Sequence, residues 1–391
     1  MVIGVVGIGT AGLQSIVHLL GHTPDDIKVV SIYDPSIDIL GIGESTTTFL
    51  PYVLGSVLDF SMVEDAELLD ATTKHGVKYS NWGDNDFFTS IYPPYHGMHF
   101  NNFKLRKFVL DRCNEKFADR FSEIQGKITN ISQDENCVEV TINNEISQFD
   151  YLVDCTGYPK DYSDYTVDEN MPVNHCLVNM IETPGDWNYT HHYATEHGWM
   201  FGIPLQTRQG WGYLFNDNIT SVEEATKDIA SIFNTKVEEL NLREFKFKNY
   251  HANTFINNRI AVNGNKALFY EPLEALSGTF YEGIIVEFID VILDGKDSEH
   301  ANKKLINSAS RYKDFIHFVY AGGSKYDSLF WKTTKKKVDN YLENSVTFKE
   351  LQRTRAFLST LVDDRIVQFP VSIDLWNLID EKMKLEYLND R

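Results

Sequence analysis

The chain has little cysteine, a deficit of positive charge and no long apolar run. Its four cysteines, among 391 residues, form no CxxC pair and no zinc-ligand spacing, so we expect reduced thiols and no metal site. Lysine and arginine number 36 against 56 acidic residues, and the net charge of −20 argues against a nucleic-acid partner or an anionic membrane surface. Without a signal peptide or an apolar run of about 18 residues, we expect a soluble, cytoplasmic protein.

Apolar and aromatic residues, in contrast, are plentiful. With 42% hydrophobic and 13% aromatic residues the chain can bury a large core, and its length predicts one large domain or two interleaved ones. The 25 Phe, 20 Tyr and 6 Trp are enough for an ordinary core and for an aromatic-lined pocket that binds a flat ligand.

The first 34 residues predict a strand, a turn, a helix and a second strand that ends at an acid. The strand VIGVV leads into the pattern G-x-G-x-x-G, whose first two glycines allow a tight turn close to a pyrophosphate and whose third lets the helix pack on the strand. The helix N-terminus then faces the anion, and the acid accepts hydrogen bonds from a ribose. This dinucleotide-binding unit serves NAD and FAD alike; its expected contacts are Gly7, Gly9, Thr10, Ala11, Gly12 and Asp34.

Two later segments favour FAD. The segment FDYLVDCTG ends at Gly157 and resembles the strand that returns to the cofactor in flavoproteins of the aromatic hydroxylase and halogenase type. The segment RIAVNGN resembles their third motif, with Gly264 followed by Asn265 where an aspartate is usual. Taken alone, each segment is equally well a buried strand that ends in a turn.

These motifs predict an α/β fold, namely an FAD-binding Rossmann-like domain with an antiparallel substrate region and a helical C-terminal part. The predicted FAD domain is discontinuous over 1–295 with inserted strands at about 160–250, and a mainly helical region over 296–391 covers the active site. The segments KITNISQ and CVEVTINNEISQFD predict antiparallel strands. Apolar periodicity predicts helices in RYKDFIHFVY, FKELQRTRAFLSTLV and DLWNLIDEKMKLEYL.

Two short segments point to specific chemistry. Lys74 lies in AELLDATTKHGVKYSNWG, and Glu274 lies in FYEPLEALSG. Together with the flavin motifs and the run HGWMFGIPLQTRQGWGYLF, they resemble the flavin-dependent halogenases of the tryptophan halogenase family. The resemblance extends from Met1 to about residue 332 and indicates a short, divergent member, with a viral halogenase as one candidate.

The resemblance implies roles for both residues. Lys74 either donates a hydrogen bond to hypohalous acid or carries its halogen as a haloamine, and Glu274 orients the acid and stabilises the cationic arenium or takes its proton. Taken alone, Lys74 is more simply a surface lysine, with Lys78 as an easily confused neighbour. Glu274 is equally an acid at a helix start, and we expect Glu271 to have that milder role.

Further contacts follow from the same resemblance. The expected additional cofactor residues are Gly43, Glu44 and Ser45, and the halide residues are Ser277 and Gly278. The stretch Ala275–Thr279 is one residue longer than the family's Ser-Thr-Gly, so we expect a roomier halide site that uses bromide or iodide better than chloride. In WMFGIP a phenylalanine replaces the second tryptophan of the family's WxWxIP. The expected substrate pocket comprises His96, His99, Phe100, Trp199, Phe201 and Pro204.

The implied activity is halogenation of a small electron-rich aromatic, with FAD reduced by a separate flavin reductase and halide as co-substrate. A C-terminus shorter than in tryptophan halogenases favours an aromatic substrate other than tryptophan. A homo-oligomer is one of the assemblies that the sequence allows. One alternative is a flavin-dependent aromatic monooxygenase, in which Lys74 has no role. The other is a catalytically silent flavin-binding protein, motivated by Asn265, Phe201 and Ala275.

Overall fold

The computed structural model of the chain describes residues 1–83, 85–91, 95–346, 348, 359–361 and 366–368. Its α-helices are α1 (Thr10–His22), α2 (Phe49–Leu58), α3 (Ala66–Leu69), α4 (Asn102–Lys116), α5 (Val222–Ile232), α6 (Leu276–Asp294), α7 (Ser298–Ala321) and α8 (Leu329–Asn344). Short 3₁₀ turns cover Val237–Glu239, Gly264–Lys266 and Leu273–Ala275.

The strands of the first half are β1 (Val2–Val6), β2 (Lys28–Tyr33), β3 (Thr72–Lys74), β4 (Gly76–Ser80), β5 (Phe87–Ser90), β6 (Gly97–His99), β7 (Phe121–Gln125), β8 (Ile128–Gln133), β9 (Val138–Ile142), β10 (Glu145–Phe149) and β11 (Tyr151–Asp154). Those of the second half are β12 (Tyr165–Val167), β13 (His175–Ile181), β14 (Thr190–Ala194), β15 (Trp199–Pro204), β16 (Gln209–Phe215), β17 (Arg243–Lys246), β18 (Tyr250–Ala252), β19 (Ile256–Asn257), β20 (Ile260–Val262), β21 (Leu268–Phe269), β22 (Ser359–Leu361) and β23 (Ile366–Gln368).

A six-stranded sheet carries the N-terminal motif. Its order is β19-β20-β11-β1-β2-β7, and every pair is parallel except β19 with β20. Past Val2, β1 is buried throughout, as expected for a central parallel strand covered on both faces. Helix α1 follows β1 directly and buries Leu13, Ile16 and Leu20. The predicted βαβ unit is therefore confirmed, and its sheet draws strands from both ends of a 260-residue span.

The second large sheet is mainly antiparallel. Its order is β17-β13-β16-β15-β14-β4-β5, with β14 and β4 as the parallel pair, while β8, β9 and β10 form the predicted smaller antiparallel sheet. Strands β4 and β5 come from the first hundred residues, outside the insertion expected at about 160–250. The division of the chain into domains stays a prediction.

The C-terminal part follows the prediction only in part. Helices α7 and α8 are present, and α7 contains the predicted segment RYKDFIHFVY. The expected helix over FKELQRTRAFLSTLV is wrong at its end, because β22 pairs antiparallel with β23. Thr360, Ile366 and Val367 are β-branched and favour strands. The segment DLWNLIDEKMKLEYL lies outside the described residues. Among the helices described, none is both long and apolar enough to cross a membrane.

Asparagine caps and ties position the elements around the first sheet. Asn101 caps α4 by accepting hydrogen bonds from the N–H groups of Phe103 and Lys104. Asn263, fully buried after β20, donates through Nδ2 to Ser15 Oγ in α1 at 3.1 Å and to the carbonyl of Tyr281 in α6 at 3.0 Å. Its Oδ1 accepts from the N–H of Gly264 at 2.7 Å. One side chain thus joins a strand end to two helices.

Replacing Asn263 by alanine should destabilise the protein by about 2 kcal/mol, because it removes this tie and leaves the buried N–H of Gly264 without its partner. The measurement is the urea midpoint of unfolding followed by circular dichroism. The matched control is Asn257→Ala, at an exposed asparagine of β19. Equal midpoints for the two variants would contradict the proposed tie.

Candidate active site

One cavity of about 1750 Å³ extends from the turn after β1 to the start of α6. It brings together segments that lie up to 270 residues apart in sequence. The predicted cofactor and halide residues on its walls are Gly7, Gly9, Thr10, Ala11, Gly12, Asp34, Gly43, Ser45, Gly157, Gly264, Asn265, Ser277 and Gly278.

The glycine turn has no room for side chains. Gly7 has a φ of +93°, and a Cβ there would lie 2.5 Å from the carbonyl oxygen of Cys155. A Cβ on Gly12 would lie 1.9 Å from the carbonyl oxygen of Gly7. The helix that follows has no acidic residue in its first turn, so the N-terminus of α1 presents unopposed N–H groups to the cavity. This geometry fits the pyrophosphate of a dinucleotide such as FAD.

Two further polar groups suit the rest of a dinucleotide. Asp34 accepts from the hydroxyl of Ser36 at 2.6 Å and from its N–H at 2.9 Å, and these bonds lower the pKa of the carboxyl. A carboxylate at this place is a suitable acceptor for ribose hydroxyls. Asn265 accepts from the Tyr281 hydroxyl through Oδ1 at 3.0 Å, which fixes the amide at the cavity wall.

Glu44 is not among the residues on the cavity wall. Its Oε1 accepts from the N–H of Asn102 at 2.9 Å, and its Oε2 pairs with Arg208. Burial raises the pKa of Glu44, and the guanidinium opposes the shift. The structure therefore gives this side chain an anchoring contact to helix α4 and to the β15–β16 turn, while its neighbour Ser45 faces the cavity.

Lys74 is buried, with only 2% of its surface exposed. It ends β3 opposite Gly97 of β6, where a Cβ would lie 3.3 Å from Lys74 Cδ. The amine donates to Ser45 Oγ at 3.1 Å, so Ser45 stands between Lys74 and the cavity. Burial lowers the pKa of Lys74 to about 8, against the opposing charge of Glu274.

Lys78 has a different environment. It lies on β4, only partly buried, with its amine 5.9 Å from the centre of the Tyr189 ring. Of the two neighbouring lysines, Lys74 is therefore the buried one.

Glu274 is held by a strained turn. Glu274 and Ala275 have φ values of +64° and +55°, and two successive left-handed residues that are not glycine cost on the order of 1–2 kcal/mol each. The turn directs the carboxylate to the hydroxyl of Tyr79, which donates to it, and to that of Thr89 at 3.5 Å. Burial raises the pKa of Glu274. Among the described ion pairs within 4.0 Å, none joins Glu274 to Lys74, so the two groups interact through their charges without contact.

Glu271 does not have the helix-start role that we expected. It is 2% exposed, and its Oε2 accepts from the Tyr320 hydroxyl at 2.9 Å. That hydroxyl also accepts from the indole N–H of Trp199 at 2.5 Å. Burial raises the pKa of Glu271 to about 8. The acid is five residues before the first residue of α6, too far to act on the helix dipole, and no local pattern predicts its buried tyrosine partner.

The predicted substrate residues separate into two groups. Phe100 and Phe201 line the cavity. The other four lie outside the cavity walls. The Trp199 ring packs on that of Trp82, with 6.0 Å between the ring centres, and His99 is fully buried with both ring nitrogens hydrogen-bonded. His96 is half-buried beside the carbonyl of Gly97, and the carbonyl of Pro204 accepts a hydrogen bond from Thr72.

Two residues of β14 line the cavity although we did not predict them from the sequence. Thr190 and His192 alternate along the strand, are buried, and both line the cavity. The ring of His192 lies edge-on to Tyr79 at 5.0 Å. Burial and the charge of Lys74 lower the pKa of His192 well below its ordinary value. The strand alternation of THHYA was the available signal, because residues two apart share a face.

The structure thus combines a cavity that fits a dinucleotide with a buried lysine behind the cavity wall. The family model described as tryptophan halogenase matches residues 2–121 and 88–361. The chain therefore belongs to the tryptophan halogenase family, and it is a flavin-dependent halogenase that uses FAD and a halide.

Individual relatives are distant but cover most of the chain. Tryptophan 6-halogenase ThaL of Streptomyces albogriseolus is 21% identical over 88% of this chain and 81% of its own length. Tryptophan 7-halogenase KtzQ of Kutzneria sp. is 21% identical over 95% of this chain and 83% of its own. The solved structure of BrvH, a flavin-dependent halogenase from Brevundimonas sp., is 17% identical, with a TM-score of 0.78 over 97% of this chain and 90% of its own.

Replacing Gly12 by alanine should weaken FAD binding by on the order of tenfold or more, because the new Cβ must displace the carbonyl of Gly7 that shapes the pyrophosphate turn. Binding is measured by the quenching of flavin fluorescence on titration. The control is Gly210→Ala in β16, where the Cβ would meet its nearest neighbour, Met180 Sδ, at an ordinary 3.6 Å. Equal dissociation constants would show that the cofactor does not use this turn.

Proposed function

We propose that this chain delivers halogen from hypohalous acid to a small electron-rich aromatic through Lys74, with Glu274 as its partner. The observation that carries the proposal is the buried amine of Lys74, hydrogen-bonded to Ser45 in the wall of the cofactor cavity. When bound and reduced by a separate flavin reductase, FAD supplies hypohalous acid from oxygen and halide. The protein's own residues determine where that acid can go.

Lys74 can meet hypohalous acid in either protonation state. Since burial lowers its pKa to about 8, both forms are populated near that pH. The neutral amine can form a nitrogen–halogen bond, and the ammonium form can donate a hydrogen bond to the acid. Burial excludes water from the amine, which protects an electrophilic halogen from hydrolysis.

Glu274 is suited to a proton-handling role on the far side of Lys74. Its carboxyl has a raised pKa and two hydroxyl donors, Tyr79 and Thr89, which keep it oriented. A carboxylate in this position stabilises a cationic arenium and can then take its proton. The rings of Tyr79 and Phe87 stack on each other, with 4.4 Å between their centres, and this packing holds the Tyr79 hydroxyl at the carboxyl.

The cofactor and halide contacts are part of the proposal. The residues of the glycine turn, with Asp34, Gly43, Ser45, Gly157, Gly264 and Asn265, would hold FAD. Ser277 and Gly278 lie at the N-terminus of α6, where N–H groups attract an anion. Ala275 offers no hydroxyl there, and a Cβ on Gly278 would meet nothing within 4 Å. This open space supports the use of bromide or iodide in preference to chloride.

Lys74→Ala should lower halogenated product by about 100-fold or more while flavin oxidation continues, because the halogen loses its carrier. Product is measured by mass spectrometry with a flavin reductase, NADH, FAD, bromide and a panel of indoles and phenols. Lys78→Ala is the matched control and should behave as wild type. Undiminished halogenation by Lys74→Ala, or hydroxylated product from the wild type, would contradict the proposed function.

In an equimolar competition of bromide with chloride, brominated product should predominate, and iodide should also exceed chloride. The physical reason is the open space beside Ala275 and Gly278, together with the easier oxidation of the larger halides. Product ratios are read by mass spectrometry at low conversion, and a reaction with each halide alone is the control. Equal or faster use of chloride would overturn the halide preference without affecting the role of Lys74.

A further inference from the structure

The amine of Lys74 is one end of a continuous set of buried hydrogen bonds. It donates to Ser45 Oγ at 3.1 Å, and Ser45 Oγ lies 3.1 Å from Thr190 Oγ1. Thr190 Oγ1 lies 2.9 Å from His99 Nε2, and His99 Nδ1 lies 3.0 Å from Thr72 Oγ1. Thr72 donates to the carbonyl of Pro204 at 2.7 Å. We call Ser45 and Thr190 the hydroxyl row.

The directions of these bonds follow from proton counting. A threonine hydroxyl has one hydrogen, and that of Thr72 is given to Pro204, so Thr72 must accept from an N–H at His99 Nδ1. Burial and the nearby charge of Lys74 lower the pKa of His99 well below its ordinary value, so the ring is neutral and Nε2 is an acceptor. Thr190 therefore donates to His99, and Ser45 donates to Thr190.

The parts of this network lie on paired backbone segments. Ser45 and His99 form an antiparallel bridge, the N–H of Thr46 donates to the carbonyl of Met98 at 2.9 Å, and Lys74 pairs with Gly97 across β3 and β6. His99 is fully buried and Lys74 and Thr190 nearly so. Rigid segments of this kind leave the side chains few alternative arrangements.

We propose that His99 is a positioning residue for Lys74: through the hydroxyl row it turns the Ser45 hydrogen away from the amine, so that Ser45 only accepts and the amine lone pair stays free for halogen. Neither ring nitrogen of His99 is free for a substrate, in contrast to its expected place in the substrate pocket. The inference rests on the proposed function of Lys74.

The step that benefits is the formation of the nitrogen–halogen bond. The lone pair of the neutral amine attacks the halogen of hypohalous acid, the oxygen–halogen bond breaks, and the departing oxygen takes one amine proton to leave as water. When the halogen passes to an aromatic carbon, the carbon loses a proton and the nitrogen regains one. A Ser45 hydrogen bonded to the lone pair would have to be released before the first attack.

The first test reads the tautomer of His99 in the protein without flavin or substrate. We expect ¹⁵N NMR of the histidine rings, with the signal assigned by its loss in His99→Gln, to show a neutral ring protonated on Nδ1 from pH 6 to 9. A ring protonated on Nε2, or an imidazolium at pH 7, would reverse the hydroxyl row and overturn the inference.

The second test breaks the hydroxyl row with Thr190→Val, which keeps the shape and removes the hydroxyl. Ser45 then loses its acceptor and turns its hydrogen to the neutral amine. We expect halogenation to fall roughly three- to tenfold and the midpoint of its rise with pH, near 8 in the wild type, to move down by about half a unit to one unit. The titratable groups around Lys74 are Glu274, His99 and His192; none of them is replaced, and of these His99 loses the hydroxyl donor at Nε2.

The matched control is Thr195→Val, which removes an equally buried threonine hydroxyl just after β14, bonded to Tyr213 at 2.7 Å and outside the row. It should keep the wild-type rate and midpoint. If Thr190→Val matches this control while Lys74→Ala is inactive, the inference fails and the proposed function stands. If Lys74→Ala halogenates as wild type, the proposed function itself fails.

Discussion

The removal of one amine from water is the constraint on which the rest of the site depends. Lowering the pKa of Lys74 from 10.5 to about 8 means that burial disfavours its charged form by about 3 kcal/mol. Few neighbouring groups can accept a hydrogen bond from a buried lysine without raising its pKa again. A carboxylate in contact would hold the proton on the amine, whereas a serine hydroxyl offers one weak bond and leaves the charge uncompensated. In this site the group that accepts the hydrogen bond of Lys74 is the hydroxyl of Ser45.

Two of the buried glutamates, Glu271 and Glu274, fit the same constraint. Tyr79 donates to the carboxyl of Glu274 and Tyr320 to that of Glu271, so each acid accepts a hydrogen bond from a phenol and neither pairs with Lys74. A neutral donor stabilises a carboxylate without adding a positive charge to the site. The strained turn at Glu274 and Ala275 is explained by this arrangement, because it places the acid near enough to act on the lysine electrostatically without touching it.

The sequence predicted those parts of the site that depend on local patterns and not those that depend on contacts between distant residues. The glycine turn and its βαβ unit were predictable because spacing and strand periodicity are local, and Lys74 was found through the motif around it. The orientation of Glu44 was missed, although residues next to each other in an extended segment face opposite ways and Ser45 was expected at the cofactor. The tyrosine partners of Glu271 and Glu274 lie 49 and 195 residues away, and no local pattern encodes such pairs.

The strand order of the first sheet also has a consequence for how the chain folds. Strand β1 precedes its partner β11 by about 145 residues along the chain, and it precedes β20, the next strand of the sheet, by more than 250. During synthesis the apolar β1 must therefore keep an open edge until β11 (Tyr151–Asp154) is made, and β11 then waits for β20 (Ile260–Val262). Pairing across such separations is slow, because the loop entropy is lost before the contacts form. Low temperature during expression and chaperone capacity should therefore govern the yield of active enzyme more than the stability of the finished fold.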